Sequence, residues 1–312
     1  MRHRIKTPGD LAETIADAYQ QACRLELASL KPGNVHRFAE GHRMSVEDFL
    51  TSAQASAAPL VAPGLGLGER IYRAVAATRE AVGCNTNLGI ILLCAPLIHG
   101  LLHVPSGSLR QRLAQVLRGA DKEDAGWLFR AIALAAPGGL GRSDKYDVHS
   151  KPTADLRQVM AYSAARDRIA YQYANDYVDL FEFALPGYLD YQSHRQNPDW
   201  AISRLYLGLL AQFPDTHIER SHGPEKALDI SRRAAALAER FDQTVSFGHI
   251  QNFLLQADEE FKREGINPGT TADLTVATLL IERMQQICSA FEQEAGFSRN
   301  CDSLSYEGRV RI

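Results

Sequence analysis

"GIILLCAPLIHGLLHV", residues 89 to 104, is the most apolar run in the chain. Two readings compete for it. A helix that crosses a bilayer needs about 20 consecutive apolar residues. This run is shorter and carries Pro96 and His99. From Leu88 to Leu102 it is apolar nearly all round, as a helix is when other helices surround it. The run therefore predicts the central, packed helix of an all-α protein.

The flanking sequence repeats the helical period. Leu11, Ile15, Ala18, Ala22 and Leu25 recur at steps of three to four. Asp10, with Glu13 three positions on, predicts the start of that helix, over residues 10 to 30. Further helices are expected over 45–60, 69–82, 109–118 and 123–135, then over 154–185 as one long helix or a pair. The last are expected over 199–212, 224–241, 249–263 and 271–294. No alternating run long enough for a strand survives. "APGGLGRSDKYDVHSKP", residues 136 to 152, is the one long loop, and loops of that length are usually functional or mobile. The expectation is one all-α domain over 1–312, a bundle of about ten to twelve helices. A loose polar tail is expected from about 296.

Composition bounds the function. The chain has 312 residues, 45% hydrophobic and 23% charged, an ordinary globular balance. A net charge of -3 advertises neither nucleic acid nor an anionic membrane. "MRHRIKTPGD" has no apolar stretch behind its charges, so no signal peptide is read. Five scattered cysteines with no CxxC pair suggest reduced thiols and a cytoplasmic protein.

The chemistry-bearing residues collect at helix ends, in four places. In "LELASLKPGNVHRFAEGH", residues 25 to 42, a helix stops at Pro32-Gly33. Glu26 precedes the stop, and Lys31, Asn34, His36 and Arg37 crowd it. Arg37 could fork a phosphate with Lys31 beside it, and Glu26 could be a metal ligand or base. In "GCNTNLGI", residues 83 to 90, Asn85, Thr86 and Asn87 precede the most apolar helix. Capping needs one polar residue, and three at a helix N-terminus make an anion site. In "FPDTHIERSHGPEKA", residues 213 to 227, Asp215, His217, Arg220 and His222 lie in a turn between Pro214 and Pro224. Asp215 there suits Mg²⁺. In "INPGTTADLTVATLLIE", residues 266 to 282, Thr270 or Thr271 caps the last helix and Asp273 falls in its first turn. Three other signals carry less. Gly64, Gly66 and Gly68 imitate a dinucleotide loop without the preceding strand. His99 and His103 lack the glutamate of a metalloprotease helix. Arg166, Asp167 and Arg168 among tyrosines read as helical charge pairing.

Taken in order, the pieces "LELASLKPGNVHR", "NTNLG", "FPDTHIERSHG" and "NPGTTADLTVATLLI" resemble the triphosphoribosyl-dephospho-CoA synthase (ATP:dephospho-CoA triphosphoribosyltransferase) family. The resemblance spans roughly 20–285. It implies an all-helical fold, Mg²⁺, and transfer of a triphosphoribosyl unit from ATP to dephospho-CoA or a related acceptor, with release of adenine. It leaves a homodimer open. On that reading Glu26, Asp215 and Asp273 are carboxylates that bind metal or stabilise an oxocarbenium-like centre. His36 or His222 is the base that takes the acceptor proton. Lys31, Asn34, Arg37, Asn85, Thr86, Asn87, Arg220, Thr270 and Thr271 hold the nucleotide. The chain also departs from the family pattern. His36 stands where an Asp is usual, and Asn87-Leu88-Gly89 stands where His-Lys-Gly is usual. The family's Arg-Gly-Glu-Ala stretch is replaced by "ARDRIAYQYAND".

Overall fold

The computed structural model describes residues 7–39, 41, 44–138, 141–194 and 198–304. Among them are fourteen α-helices, one π-helical turn and no strand. The helices are α1 (Pro8–Ala28), α2 (Val46–Val61), α3 (Leu67–Val82), α4 (Leu88–His103), α5 (Leu109–Gly119), α6 (Lys122–Ala135) and α7 (Leu156–Ser163). After them come α8 (Arg168–Ala174), the π-turn (Leu180–Ala184), α9 (Leu185–His194), α10 (Pro198–Gln212) and α11 (Thr216–His222). The last are α12 (Pro224–Gln243), α13 (Phe247–Arg263) and α14 (Gly269–Leu304).

The all-α expectation holds, and the helix count exceeds it for two local reasons. The region expected as one or two helices breaks after α8, where Asp176 and Tyr177 both take positive φ. The segment between Pro214 and Pro224, expected as a turn, is itself a helix capped by Asp215. The first helix starts earlier than expected, because Thr7 is the N-cap. Thr7 and Asp10 exchange hydrogen bonds of 2.9 and 3.1 Å, with Pro8 at the first helical position. At the other end α14 runs on to Leu304, past Gly296 where a looser tail was expected. Residues 305–312 of that tail lie outside the described residues.

Helix α4 is central, as its composition predicts. It packs on α1, α2, α3, α5, α8 and α14, and from Ile90 to Ile98 every residue is buried. No described helix is long and apolar enough to cross a membrane. Pro96 interrupts α4 without ending it. Proline has no N–H to give the carbonyl four residues back, here Leu92. The buried hydroxyl of Tyr173 donates to that carbonyl at 2.6 Å, and that of Tyr177 to Leu93 at 3.0 Å. Two tyrosines from the α8 region thus supply hydrogen bonds to the turn preceding Pro96. A second body of core, from α10, α11, α12 and α13, packs beside α14 and carries Tyr206, Ile218, Ile230 and Phe261.

Candidate active site

A cavity of about 700 Å³ opens among the helix ends. All four polar places reach it. Glu26 and Asn34 come from the first, Asn85 and Thr86 from the second, His217 and Arg220 from the third, and Asn267, Thr270 and Asp273 from the fourth. Residues far apart in sequence therefore share one site.

The exit of α1 is strapped in place from behind. Gly33 has φ +85°, and a Cβ there would lie 3.0 Å from Phe261 and Pro268, so only glycine fits. Its N–H donates to Asp258 Oδ1 at 2.8 Å, and Tyr206 donates to the Pro32 carbonyl at 2.9 Å. His36 is fully buried and accepts from the Phe38 N–H at 3.3 Å through Nδ1, with Nε2 3.3 Å from Asp258 Oδ2. Burial holds its pKa below the ordinary histidine value. His36 therefore braces the turn and does not front the cavity. The base role expected of it is corrected on that ground. Arg37 is also outside the cavity, exposed and 4.6 Å from the Phe38 ring. Lys31 is fully buried. It pairs with Glu26 and donates to Asn34 Oδ1 at 3.2 Å, while Asn34 donates to Asn267 at 2.9 Å. Burial lowers the Lys31 pKa and raises that of Glu26, each opposed by attraction to the other. So Lys31 tunes Glu26 from behind rather than meeting a ligand.

At the start of α4, Asn85 accepts from the Leu88 N–H at 3.1 Å and Thr86 donates to Ser52 at 2.6 Å. Both line the cavity. Asn87 instead points back to Ser56 on α2 at 3.3 Å and is buried. Gly89 permits the closest approach in the site. A Cβ there would sit 1.9 Å from Asp273 Oδ2.

Asp215 joins the third and fourth places. Oδ1 accepts the N–H groups of His217 and Ile218 at 2.8 and 3.1 Å, and Oδ2 accepts the N–H and hydroxyl of Thr271, both at 2.7 Å. A carboxylate has about four acceptor sites, and all are taken. Asp215 is thus a brace between α11 and α14 with no lone pair for a metal, and Thr271 is its partner. Beside them Thr216 and Thr270 share a hydrogen bond of 3.1 Å. His222 is exposed, bonded to Ser221 at 2.8 Å, and does not reach the cavity. The histidine that lines it is His217.

Asp273 accepts no hydrogen bond from the described residues. Its pKa is driven well up, first by burial and then by the charges of Asp215, Glu26 and Asp167, with Arg220 opposing. Several cavity residues escape the sequence reading. Asp167 caps α8 and pairs with Arg220 at 2.8 Å. Arg79, Arg142 and Arg166 line the outer part on exposed residues. Arg166 donates to Ser143 of the 136–152 loop at 3.0 Å. The functional signal in that loop was its length. Nothing local marks Arg79, which comes from the last turn of α3. The resulting field mixes both signs, with Glu26 buried, Arg79, Arg142 and Arg166 exposed, and Asp167 and Arg220 paired at similar exposure between them.

The family model for CitG, ATP:dephospho-CoA triphosphoribosyl transferase, matches residues 12–290. The chain belongs to this family. It is an enzyme of the ATP:dephospho-CoA triphosphoribosyl transferase type. A solved structure from Archaeoglobus fulgidus, named as a triphosphoribosyl-dephospho-CoA synthase, shares the fold. It is 24% identical, with a TM-score of 0.57, covering 74% of this chain and 96% of that one. No curated protein matches the chain.

For this CitG-family transferase, the donor set can be tested against Mg²⁺. Among the described residues, no group of three or more His, Cys, Asp or Glu side chains could hold an ion unaided. Mg²⁺ carried by a triphosphate needs only one or two carboxylates. Asp273 and the second oxygen of Glu26 accept nothing from described residues, so the residues fit an ion that arrives with substrate.

Proposed function

We propose that the cavity binds ATP with Mg²⁺ and transfers its triphosphoribosyl unit to a hydroxyl of dephospho-CoA or a related acceptor. The bond between the ribose anomeric carbon and adenine breaks, and adenine leaves with the electron pair. A bond forms from that carbon to the acceptor oxygen, and the acceptor proton ends on the released base. The observation that supports this is the convergence of four polar helix ends on one cavity that carries both carboxylates and guanidinium groups.

Glycosidic cleavage builds positive charge at the sugar carbon. Glu26, Asp167 and Asp273 provide a fixed negative field for it, and fixed charges in a partly dry site act strongly on a developing charge. Mg²⁺ would be held by Glu26 and Asp273 with the triphosphate oxygens, where it would neutralise phosphate charge. Arg79, Arg142, Arg166 and Arg220 hold the phosphates, with the α4 N-terminus and Thr86 beside them. Arg79 supplies positive charge to the cavity that Leu88 also lines, at the position where the chain lacks a lysine. His217 moves the proton, in place of His36 and His222.

The test is incubation of the protein with ATP, Mg²⁺ and dephospho-CoA, with adenine and the coupled product measured by chromatography. Equal amounts of both are expected, and His222→Ala should leave them unchanged. Absence of adenine with every acceptor tried would overturn the transferase reading. Adenine without coupled product would make the protein a hydrolase.

A further inference from the structure

Thr216 opens α11 and is 7% exposed, and Thr270 stands second in α14 and is 3% exposed. Of the two, only Thr270 lines the cavity. Their hydroxyls lie 3.1 Å apart, and Thr216 Oγ1 also accepts the Arg168 N–H at 3.3 Å. Counting protons fixes the direction of the shared bond. A hydroxyl has one proton to donate, and the described residues offer the Thr216 proton no acceptor except Thr270 Oγ1. If Thr270 donated instead, the Thr216 proton would be buried and unpaired, which is costly. The bonds therefore run from the Arg168 N–H to Thr216, from Thr216 to Thr270, and from the Thr270 hydroxyl into the cavity.

The pair is held from beside. Asp215, next to Thr216, accepts the N–H and hydroxyl of Thr271, next to Thr270. Thr270 also precedes Asp273 by three residues, which puts both on one face of α14. His217 is close as well, since its ring would lie 3.5 Å from a Cβ on Gly269. Resting on the transferase reading above, in which His217 moves the proton that ends on the departing adenine, we infer that Thr216 is a positioning residue that aims the Thr270 hydroxyl at a ring nitrogen of that base. The base gains the electron pair of the broken bond, so a fixed donor there strengthens as the bond breaks. The Thr270 proton is shared and not transferred. A phosphate oxygen keeps its charge through the step, so a donor aimed at it would act on KM alone.

The experiment follows adenine release in a single turnover, with dephospho-CoA saturating and enzyme in excess over ATP. The maximal rate then reports bond cleavage, and the enzyme concentration at half that rate reports ATP binding. Thr270→Val should lower the maximal rate by about tenfold or more. Thr216→Val, a change outside the cavity, should lower it by about fivefold and leave ATP binding unchanged. Thr216→Ser keeps the hydroxyl and should restore the rate. Adding Thr216→Val to Thr270→Val should slow the reaction by less than about twofold further, because both act through one bond. Thr216→Ala removes the hydroxyl with less bulk and serves if the valine variant does not fold. A wild-type rate in Thr216→Val, no rescue by serine, losses that multiply in the double variant, or an effect confined to ATP binding would each overturn the inference, while adenine release by the wild-type protein kept the transferase reading intact. No adenine from the wild-type protein with any acceptor would remove both.

Discussion

Gly89→Ala tests the site at its tightest point. Within a helix the change should be mildly favourable, by about 0.5–1 kcal/mol. Here the new methyl carbon would lie 1.9 Å from Asp273 Oδ2, 2.5 Å from its Cγ and 2.8 Å from Ile169 Cδ1. Ordinary contact begins near 3.4 Å, so the carboxylate must retreat by roughly 1.5 Å. Displacing a reacting group by about 1 Å costs about 10²-fold in rate, equal to about 2.7 kcal/mol of transition-state stabilisation. Adenine release should therefore fall by about 10² or more, while the melting temperature changes by only a few degrees. The double variant Gly89→Ala, Asp273→Ala isolates the cause. With the carboxylate gone, most of the alanine's cost in melting temperature should vanish, leaving only what the contact with Ile169 Cδ1 at 2.8 Å adds. A Gly89→Ala enzyme that keeps more than about a third of its wild-type rate would refute the placement of Asp273 at the reaction centre.

Three further predictions follow from the same contacts. Tyr173→Phe leaves the buried Leu92 carbonyl unpaired and should cost about 1–3 kcal/mol in a denaturant melt. Adding Pro96→Ala restores an N–H donor for that carbonyl, so the tyrosine change should cost less in that background. Asp215→Asn puts an amide donor among four donors. It should cost about 2–3 kcal/mol and also lower activity, seen as a lower melting temperature together with a slower rate. Asp273→Asn should stabilise the protein at neutral pH and abolish transfer. The folded pKa of Asp273 lies above its ordinary 3.8, so the ionised group opposes folding. Its contribution improves as pH falls through the folded value towards 3.8. The variant's advantage in melting temperature should accordingly shrink on acidification, and an advantage that grows would contradict the burial of that charge.

The fold was legible where the apolar period was strong. The run around Pro96 could only be a surrounded helix, and α4 begins and ends within a residue of the expected bounds. The misses have physical causes. Helix α11 is seven residues long, too short for a period to show, and its cap Asp215 looked like a ligand. The break after α8 has no glycine or proline to mark it, because Asp176 and Tyr177 carry the positive φ themselves. For the site, the residue types and their clustering were legible, and the side-chain directions were not. Whether His36 faces a ligand or the core depends on Asp258, 225 positions beyond Gly33, and no local pattern reports such a partner. Arg79 and Asp167 were hidden for the converse reason. Each does an ordinary helical job in sequence, at the end of α3 and the start of α8, and gains its second role only from what the fold sets opposite.

The carboxylates divide into two groups, and the division explains how the site can exist. Asp215 and Asp258 have donors on both oxygens, and these bonds tie α11 to α14 and the α1 exit to α13. A buried carboxylate so satisfied holds geometry and has little capacity left for a ligand. Glu26 and Asp273 are the opposite, with open oxygens and pKa values raised by burial. Charges held that way destabilise the fold, so something else must keep them close. The satisfied pair does so, since α1 and α14, which carry Glu26 and Asp273, are the elements it fixes. The same reasoning separates the histidines. His36, enclosed beside Asp258, belongs with the braces, whereas His217 lines the cavity. The surplus of polar residues at the helix exits thus has two uses, and the count of filled lone pairs tells them apart.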